Sequence, residues 1–168
     1  RLSLVGSEMC IRDRPNGYVD KCVNKLNNYK LIKVPFGGMH LNDAGYFFLD
    51  EVVKFQPKYC FIDFFGTGYM ESNDNTKLYI NNIITTLKRN NIFPIFLILP
   101  RKDLEEHQKK REEFLNMCIK QCKMYNSEII DLRYLTVEHD FDYFLKDIVH
   151  TTNAVSYTHL TLPTTKNV

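Results

Sequence analysis

An aspartate and a histidine three residues apart, Asp147 and His150, are the residues of this sequence best suited to acid–base chemistry. At that spacing both can lie on one tight turn, where the carboxylate holds one imidazole nitrogen and leaves the other free to take a proton. An enzyme that activates a hydroxyl nucleophile needs such a pair. The same spacing also occurs on solvated loops, so its meaning depends on the elements that position it.

Those elements alternate along the chain. Short apolar runs bounded by Gly or Pro predict strands, and stretches with apolar residues at helical spacing predict helices between them. The predicted strands cover residues 31–36, 59–65, 93–99 and 128–132, and the predicted helices cover about 17–28, 41–52, 80–87 and 103–124. This alternation predicts an α/β fold with a parallel sheet, right-handed crossovers and helices on both faces.

The loops that leave these strands carry the remaining candidate residues. Gly37-Gly38, Gly66-Thr67-Gly68 and Pro100-Arg101 directly follow strand ends, and the Asp147/His150 pair follows the fourth strand after a longer loop. In parallel sheets, ligands bind beyond the carboxyl ends of the strands. We therefore expect these loops to meet at one edge of the sheet.

Composition excludes several classes of protein. A chain of 168 residues can bury one core and is too short for two full domains. The net charge of +2, from 22 basic and 20 acidic residues, gives no electrostatic reason to expect nucleic acid or an anionic membrane as partner. The longest apolar run, residues 92–99, is too short to span a bilayer.

The cysteine pattern predicts packed thiols and no metal site. None of the five cysteines forms a C-x-x-C pair, and Cys118 and Cys122 lie one helical turn apart, as on a buried helix face. Free thiols favour a reducing compartment. A metal bound by Asp147 and His150 would need a third ligand, and none stands at an evident spacing. No cofactor is expected.

Both ends of the chain differ from its middle. Residues 1–14 (RLSLVGSEMCIRDR) and 155–165 (VSYTHLTLPTT) break the Asn-, Lys- and Ile-rich composition of the rest, and both resemble translated sequencing-adapter sequence. We therefore predict a single domain at residues 15–153, with non-native tails at 1–14 and 154–168, and a natural protein that extends beyond both ends.

From about Tyr18 to His150 the chain resembles the SGNH/GDSL hydrolases, a family with a flavodoxin-like three-layer α/β/α fold. Family members carry a Gly-Asp-Ser nucleophile block after the first strand, glycine and asparagine blocks after later strands, and Asp-x-x-His before the final helix. The residues that carry the resemblance are Val34–Gly38 for the glycine block, the strands at 93–99 and 128–132, and Asp147-Ile148-Val149-His150.

The resemblance implies a serine ester hydrolase that acts through an acyl-enzyme on an O-acyl ester, such as an O-acetylated carbohydrate. His150 would then be the general base and Asp147 the residue that orients it. The backbone N–H of Gly37, or of Gly38 if the alignment shifts by one residue, would bind the oxyanion. The implied partner is a small-molecule or carbohydrate ester.

Two positions depart from the family pattern. Aligning the third block on Phe65–Gly68 places Thr67 where the family has its oxyanion asparagine, and a threonine hydroxyl has shorter reach than an amide. No Gly-Asp-Ser occurs anywhere in the sequence. Leu4-Val5-Gly6-Ser7 imitates a strand that runs into Gly-Ser, but we favour a nucleophile that is missing from this chain over Ser7.

Alternative interpretations remain open. The first is a non-catalytic module of the same fold that binds glycans or assists cell-envelope polysaccharide assembly. The second is an unrelated flavodoxin-like domain that binds a nucleotide or phosphate, for which no glycine-rich loop of the required spacing follows a strand. Asp63 is predicted to be a hydrogen-bonded structural acid, His40 and Arg101 to be exposed loop residues, and Lys109–Glu113 to be a solvated helix face.

Overall fold

The structure is a computed structural model that describes residues 2–6, 29–35, 41, 49–63, 65, 73–100 and 105–134. Within these residues the chain forms five strands and three helices. In chain order they are β1 (Leu2–Gly6), β2 (Leu31–Pro35), α1 (Leu49–Phe55), β3 (Tyr59–Asp63), α2 (Asn73–Arg89), β4 (Phe93–Ile98), α3 (Glu105–Met124) and β5 (Glu128–Asp131).

The five strands form one parallel sheet in the order β2-β1-β3-β4-β5. From β1 the chain adds β2 on one side of β1. It then crosses to the other side of β1, where it adds β3, β4 and β5 in turn. This order is that of flavodoxin-like sheets, in which the first strand lies inside the sheet. The predicted α/β fold with a flavodoxin-like parallel sheet is thus confirmed.

One face of the sheet packs against the three helices. Cys60 and Ile62 of β3 lie in register with Pro94 and Phe96 of β4 and point to the same face, because paired residues of parallel strands share a face. These side chains are buried against the apolar stripes of the helices. The buried apolar helix residues are Leu49 and Val52 of α1, Ile80, Ile83, Ile84 and Leu87 of α2, and Phe114, Leu115, Cys118 and Cys122 of α3.

The helical spacing of these residues explains why α2 and α3 form where they do. Their apolar positions recur three and four residues apart, so one stripe faces the sheet while Lys, Asn and Glu face water. Burying a single Ile, Leu or Phe side chain stabilises a fold by about 1.5–3 kcal/mol. The stripes predicted on both helices are confirmed, except that Ile119 is only partly buried.

Each helix ends in a tight left-handed turn before the next strand. At the end of α2, the amide of Ile92 donates to the carbonyl of Leu87 at 2.9 Å, and that of Asn91 to Lys88 at 3.0 Å. Asn91 has φ 58°, the left-handed conformation that commonly ends a helix. α3 ends in the same way at Asn126, with φ 50°.

Other sequence expectations differ from the structure or lie beyond the residues it describes. Leu2–Gly6, assigned from sequence to a non-native tail, forms the inner strand β1, although its place in the sheet does not test where the segment comes from. The helix predicted at 17–28 lies outside the described residues. No helix in the described part of the chain has the length and apolar character to cross a membrane.

Candidate functional site

Three neighbouring strands end in one row at the carboxyl edge of the sheet. Gly6 at the end of β1 is in register with Pro35 at the end of β2 on one side and with Asp63 at the end of β3 on the other. The carboxyl ends of these three strands therefore lie side by side, in the order β2, β1 and β3.

The predicted site residues follow these strand ends in sequence. Gly37 and Gly38 come after β2, Ser7 directly after β1 and Thr67 after β3, whereas Asp147 and His150 come well after β5. All of these residues lie outside the described part of the chain. The structure places the ends of β2, β1 and β3 side by side, and the pairing of Asp147 with His150 remains a prediction.

Phe65 anchors the chain where it leaves β3. Its ring is 1% exposed, stacks on Phe96 of β4 with centroids 5.2 Å apart, and meets the edge of Phe114 of α3 at 6.5 Å. Such aromatic contacts contribute about 0.5–1.5 kcal/mol each beyond the burial of apolar area. Phe65 thus fixes the chain two residues before Thr67 in the sequence.

A charged cluster lies at the carboxyl ends of β4 and β5. Arg133 holds the Asp131 carboxylate through Nη2 to Oδ2 at 2.7 Å and Nε to Oδ1 at 3.0 Å, and the Arg133 amide also donates to Oδ1 at 3.0 Å. Its Nη1 reaches the Glu112 carboxylate of α3 at 3.4 Å. Arg111, which precedes Glu112 on α3, donates from Nη2 to the carbonyl of Leu99 at 3.4 Å.

Arg111 corrects one sequence expectation. The segment Lys109–Glu113 was predicted to be a solvated helix face, but Arg111 is only 7% exposed, whereas Lys109, Lys110, Glu112 and Glu113 are exposed. The signal was present in the sequence. Arg111 precedes Leu115, Cys118 and Cys122 at spacings of four, three and four, so it stands on the buried stripe of α3.

The cluster keeps Asp131 ionised. Partial burial alone would raise the pKa of Asp131, but the hydrogen bonds and charge of Arg133, helped by the charge of Arg111, outweigh it and hold that pKa below its usual value. The hydrogen bond to Asp131 raises the pKa of Arg133 in turn. The cluster therefore stays a fixed ion pair at neutral pH, which makes it an anchor and not a proton donor.

The cysteines of the described residues are unsuited to catalysis. Cys60, Cys118 and Cys122 are free and buried, as predicted for packed thiols. Burial raises the pKa of Cys122 to about 12 and that of the other two thiols further, so none forms a thiolate at neutral pH. In the part of the chain that the structure describes, no group of three or more His, Cys, Asp or Glu residues could hold a metal ion.

Comparison with known proteins defines the fold. No protein-family model and no curated protein matches the sequence. Solved structures do match: TesA has a TM-score of 0.79 at 10% identity over 95% of this chain and 94% of its own. The acetyl xylan esterase AlAXEase has a TM-score of 0.78 at 17% identity, with 94% of this chain and 96% of that chain covered.

A third structure, AlinE4, is described as an esterase of the SGNH-hydrolase family and has a TM-score of 0.68 at 17% identity. The match covers 94% of this chain and 90% of that one. Together with the strand order, these likenesses show that the chain has the α/β fold of the SGNH/GDSL hydrolases, as its sequence motifs predict.

Proposed function

We propose that the protein is a serine ester hydrolase of the SGNH type, with Asp147 and His150 as its acid–base pair. The observation that carries this proposal is the row of strand ends at Pro35, Gly6 and Asp63. A nucleophile placed after β1 would be flanked by the segment after β2, with Gly37, and by the segment after β3, with Thr67. In that order, an oxyanion donor would lie on each side of the reacting hydroxyl.

In this mechanism each residue has one task. His150 takes the proton of the serine hydroxyl as it attacks the ester carbonyl, while Asp147 holds the imidazole in the required tautomer. The backbone N–H of Gly37 and the hydroxyl of Thr67 donate to the oxyanion of the tetrahedral intermediate. His150 then protonates the leaving alcohol, and a water molecule activated by His150 releases the acid from the acyl-enzyme.

We further propose O-acylated small molecules, including O-acetylated carbohydrates, as the substrate class. One protein of the same fold is named an acetyl xylan esterase and another an acetyl-xylooligosaccharide esterase. Both likenesses lie below 20% identity, so they support the class of bond cleaved and not a particular sugar.

The nucleophile can be tested within this chain. Gly6-Ser7-Glu8 becomes Gly-Asp-Ser in the double variant Ser7→Asp/Glu8→Ser, which places the family's block directly after β1. We expect no hydrolysis of p-nitrophenyl acetate by the unchanged chain, and hydrolysis by the double variant. Adding His150→Ala should then lower kcat by about 10³-fold or more, since the serine loses its base.

The control is the single variant Ser7→Asp, which supplies the aspartate without the serine and should stay inactive. A fluorophosphonate probe should label the double variant and leave the single variant unlabelled. If the unchanged chain is active and Ser7→Ala removes the activity, Ser7 is the nucleophile and the prediction of a missing one is wrong. A folded double variant with neither turnover nor label contradicts the esterase and favours the non-catalytic glycan-binding module.

A further inference from the structure

Exposed basic side chains collect at the amino edge of the sheet. Each of the three described helices ends at this edge with Lys or Arg in its last turn. Basic residues also stand directly before β2 and β3. These residues form a basic edge, which consists of Lys30, Lys54, Lys58, Lys88, Arg89 and Lys123. The net charge of the chain, only +2, therefore does not describe how its charge is distributed.

Few acidic groups offset these cations. In the described part of the chain, Glu128 begins β5 at this edge, and Asp50 and Glu51 lie in the first turn of α1, where Glu51 binds Lys54. The carbonyl groups at a helix C-terminus carry about half a negative charge, so one cation per helix suffices to balance them. The basic edge exceeds that need, because α2 ends in two cations and other cations precede strands.

Large apolar side chains are exposed among these cations. Met124 at the end of α3 is 64% exposed and Tyr29 before β2 is 44% exposed, and Phe93 at the start of β4 is exposed as well. Phe93 meets the ring of Tyr59 at 6.1 Å between centroids, and Lys58 Nζ lies 5.3 Å from the same ring. Single exposed apolar residues are ordinary, but here they are interspersed with cations on one surface.

The parts of this surface are fixed relative to one another. The amide of Phe93 donates to the carbonyl of Lys58 at 3.0 Å, which ties the start of β4 to the start of β3. Lys88 Nζ donates to the carbonyl of Asn126 at 2.8 Å, which ties the end of α2 to the end of α3. A partner that binds here therefore meets a surface that needs little ordering, and binding loses less conformational entropy.

We propose that the basic edge is a docking surface for an anionic phospholipid bilayer. Its cations attract the negative headgroups, while Met124 and Tyr29 enter the boundary between headgroups and acyl chains. Nucleic acid offers the same negative charge but no apolar layer for Met124 to enter. In this orientation the carboxyl edge points away from the bilayer. If the proposed esterase function is correct, its substrates then reach the site from water.

Flotation of the full chain with lipid vesicles tests the docking. At low salt we expect binding to vesicles of equal parts phosphatidylglycerol and phosphatidylcholine, and none to pure phosphatidylcholine. Salt at about 1 M shortens the Debye length to about 3 Å and should release the chain. Arg89→Gln/Lys123→Gln should lower the partition coefficient by about 25-fold, since each cation near an anionic surface contributes about fivefold.

Lys109→Gln/Lys110→Gln is the matched control. Both lysines are exposed on α3 and their replacement removes the same charge. At 1.5 Å per residue they lie about 20 Å along the axis from Lys123, which is about twice the Debye length at 0.1 M salt. This variant should bind like the unchanged chain. Equal losses in the two double variants, or no binding of the unchanged chain to anionic vesicles, would overturn the proposal.

Fluorescence reports which edge touches the bilayer. The chain contains no tryptophan, so one introduced indole is read without background. On adding anionic vesicles, the emission of Met124→Trp should move to shorter wavelength and be protected from acrylamide. Tyr134→Trp, an exposed position after β5, should not change. A shift at Tyr134→Trp as large as at Met124→Trp, or no shift at Met124→Trp on vesicles that bind the chain, contradicts this docking.

Two further measurements separate the alternatives. If the unchanged chain binds duplex DNA and not anionic vesicles, and Arg89→Gln/Lys123→Gln weakens that binding, the bilayer is refuted and the edge is assigned to nucleic acid. In the Ser7→Asp/Glu8→Ser background, Arg89→Gln/Lys123→Gln should leave kcat for p-nitrophenyl acetate unchanged. Vesicle binding without turnover supports the docking and refutes the esterase alone, and turnover without vesicle binding does the reverse.

Discussion

The two edges of the sheet are built differently. At the amino edge, each of the three described helices joins the next strand through three residues: 56–58, 90–92 and 125–127. At the carboxyl edge, the described strands lie further in sequence from the helices that follow them, with residues 64–72 between β3 and α2 and residues 99–104 between β4 and α3. Short connections leave little freedom, and long ones leave room for side chains that bind and react.

The two edges also differ in the groups that they contain. The amino-edge turns each contain a residue with positive φ, namely Gln56, Asn91 or Asn126, and are held mainly by backbone hydrogen bonds. Lys88 of α2 adds bonds from Nζ to the carbonyls of Tyr125 and Asn126. The carboxyl edge instead contains Asp63, Arg111 and the Asp131–Arg133 pair. Turns held by backbone hydrogen bonds thus lie at one edge and buried or half-buried charged side chains at the other, which suits a fold whose sites lie on one side.

Replacing the aromatic anchor of the carboxyl edge gives the largest expected effect on stability. Phe65→Ala should lower the free energy of unfolding by about 3–5 kcal/mol, because it leaves a cavity between Phe96 and Phe114. Ile92→Ala at the amino edge, where Ile92 is also fully buried, should lower it by about 2–5 kcal/mol. Urea denaturation measures both.

Catalytic activity should distinguish the role of Phe65 from that of Ile92. In the Ser7→Asp/Glu8→Ser background, we expect the milder Phe65→Leu to reduce kcat and the matched Ile92→Val to leave it unchanged, since only Phe65 supports a loop of the site. Equal losses of kcat in the two variants would show that the edges do not differ in function.

The ion pair at the end of β5 gives an intermediate effect that depends on pH. Arg133→Met should lower stability by about 0.5–1.5 kcal/mol at pH 7, since the pair is well aligned but partly exposed. The folded-state pKa of Asp131 is depressed, so this contribution is present above the ordinary aspartate pKa and is lost as the pH falls through the folded value. Denaturant titrations at pH 7 and pH 3 check it.

Lys88→Met serves as the matched control from the amino edge. It also removes a basic side chain that ties an end of β5, but it leaves every carboxylate in place and should lose about 0.5–1 kcal/mol at both pH values. If the difference between Arg133→Met and the unchanged chain is as large at pH 3 as at pH 7, the assigned role of Asp131 is contradicted.

Relief of backbone strain at the amino edge gives the smallest effect. Gln56 has φ 45° and precedes Pro57, which has no N–H to complete the helix-ending turn. Gln56→Gly should raise the free energy of unfolding by about 0.5–1 kcal/mol, because glycine adopts this conformation without steric cost. Asn91→Gly should gain less, since asparagine tolerates positive φ. Differential scanning calorimetry ranks the two, and a destabilised Gln56→Gly would show that its side-chain bond to Val53 matters more.

Local pattern predicted most of the fold. The strands at 31–36, 59–65, 93–99 and 128–132 all occur with ends shifted by one or two residues, and the long helix ends at Met124 as predicted. Periodicity succeeds here because each segment buries a continuous apolar stripe. The prediction from local pattern was wrong at Arg111, because a charged side chain was assumed to be exposed. It also missed the positive φ of Gln56, because glutamine does not signal such a turn.

The candidate site was harder to predict from the sequence than the fold. Whether Leu2–Gly6 forms a strand depends on two neighbours that lie far along the chain, so its few residues could not settle it. Burial of Asp63 likewise follows from its row in the sheet and not from its aromatic neighbours in sequence. The predicted site residues stay predictions, since they lie outside the described residues: Asp147, His150, Gly37 and Thr67.

The proline in β4 limits how the outer strand can dock. Pro94 pairs with Cys60 of β3, but β5 begins its pairing only at Ile95, opposite Glu128. A strand that slid toward the amino edge would meet a residue without an N–H and would also turn Ile129 away from the core. With only four residues and an acid at each end, β5 makes a poor template for the strands of another molecule.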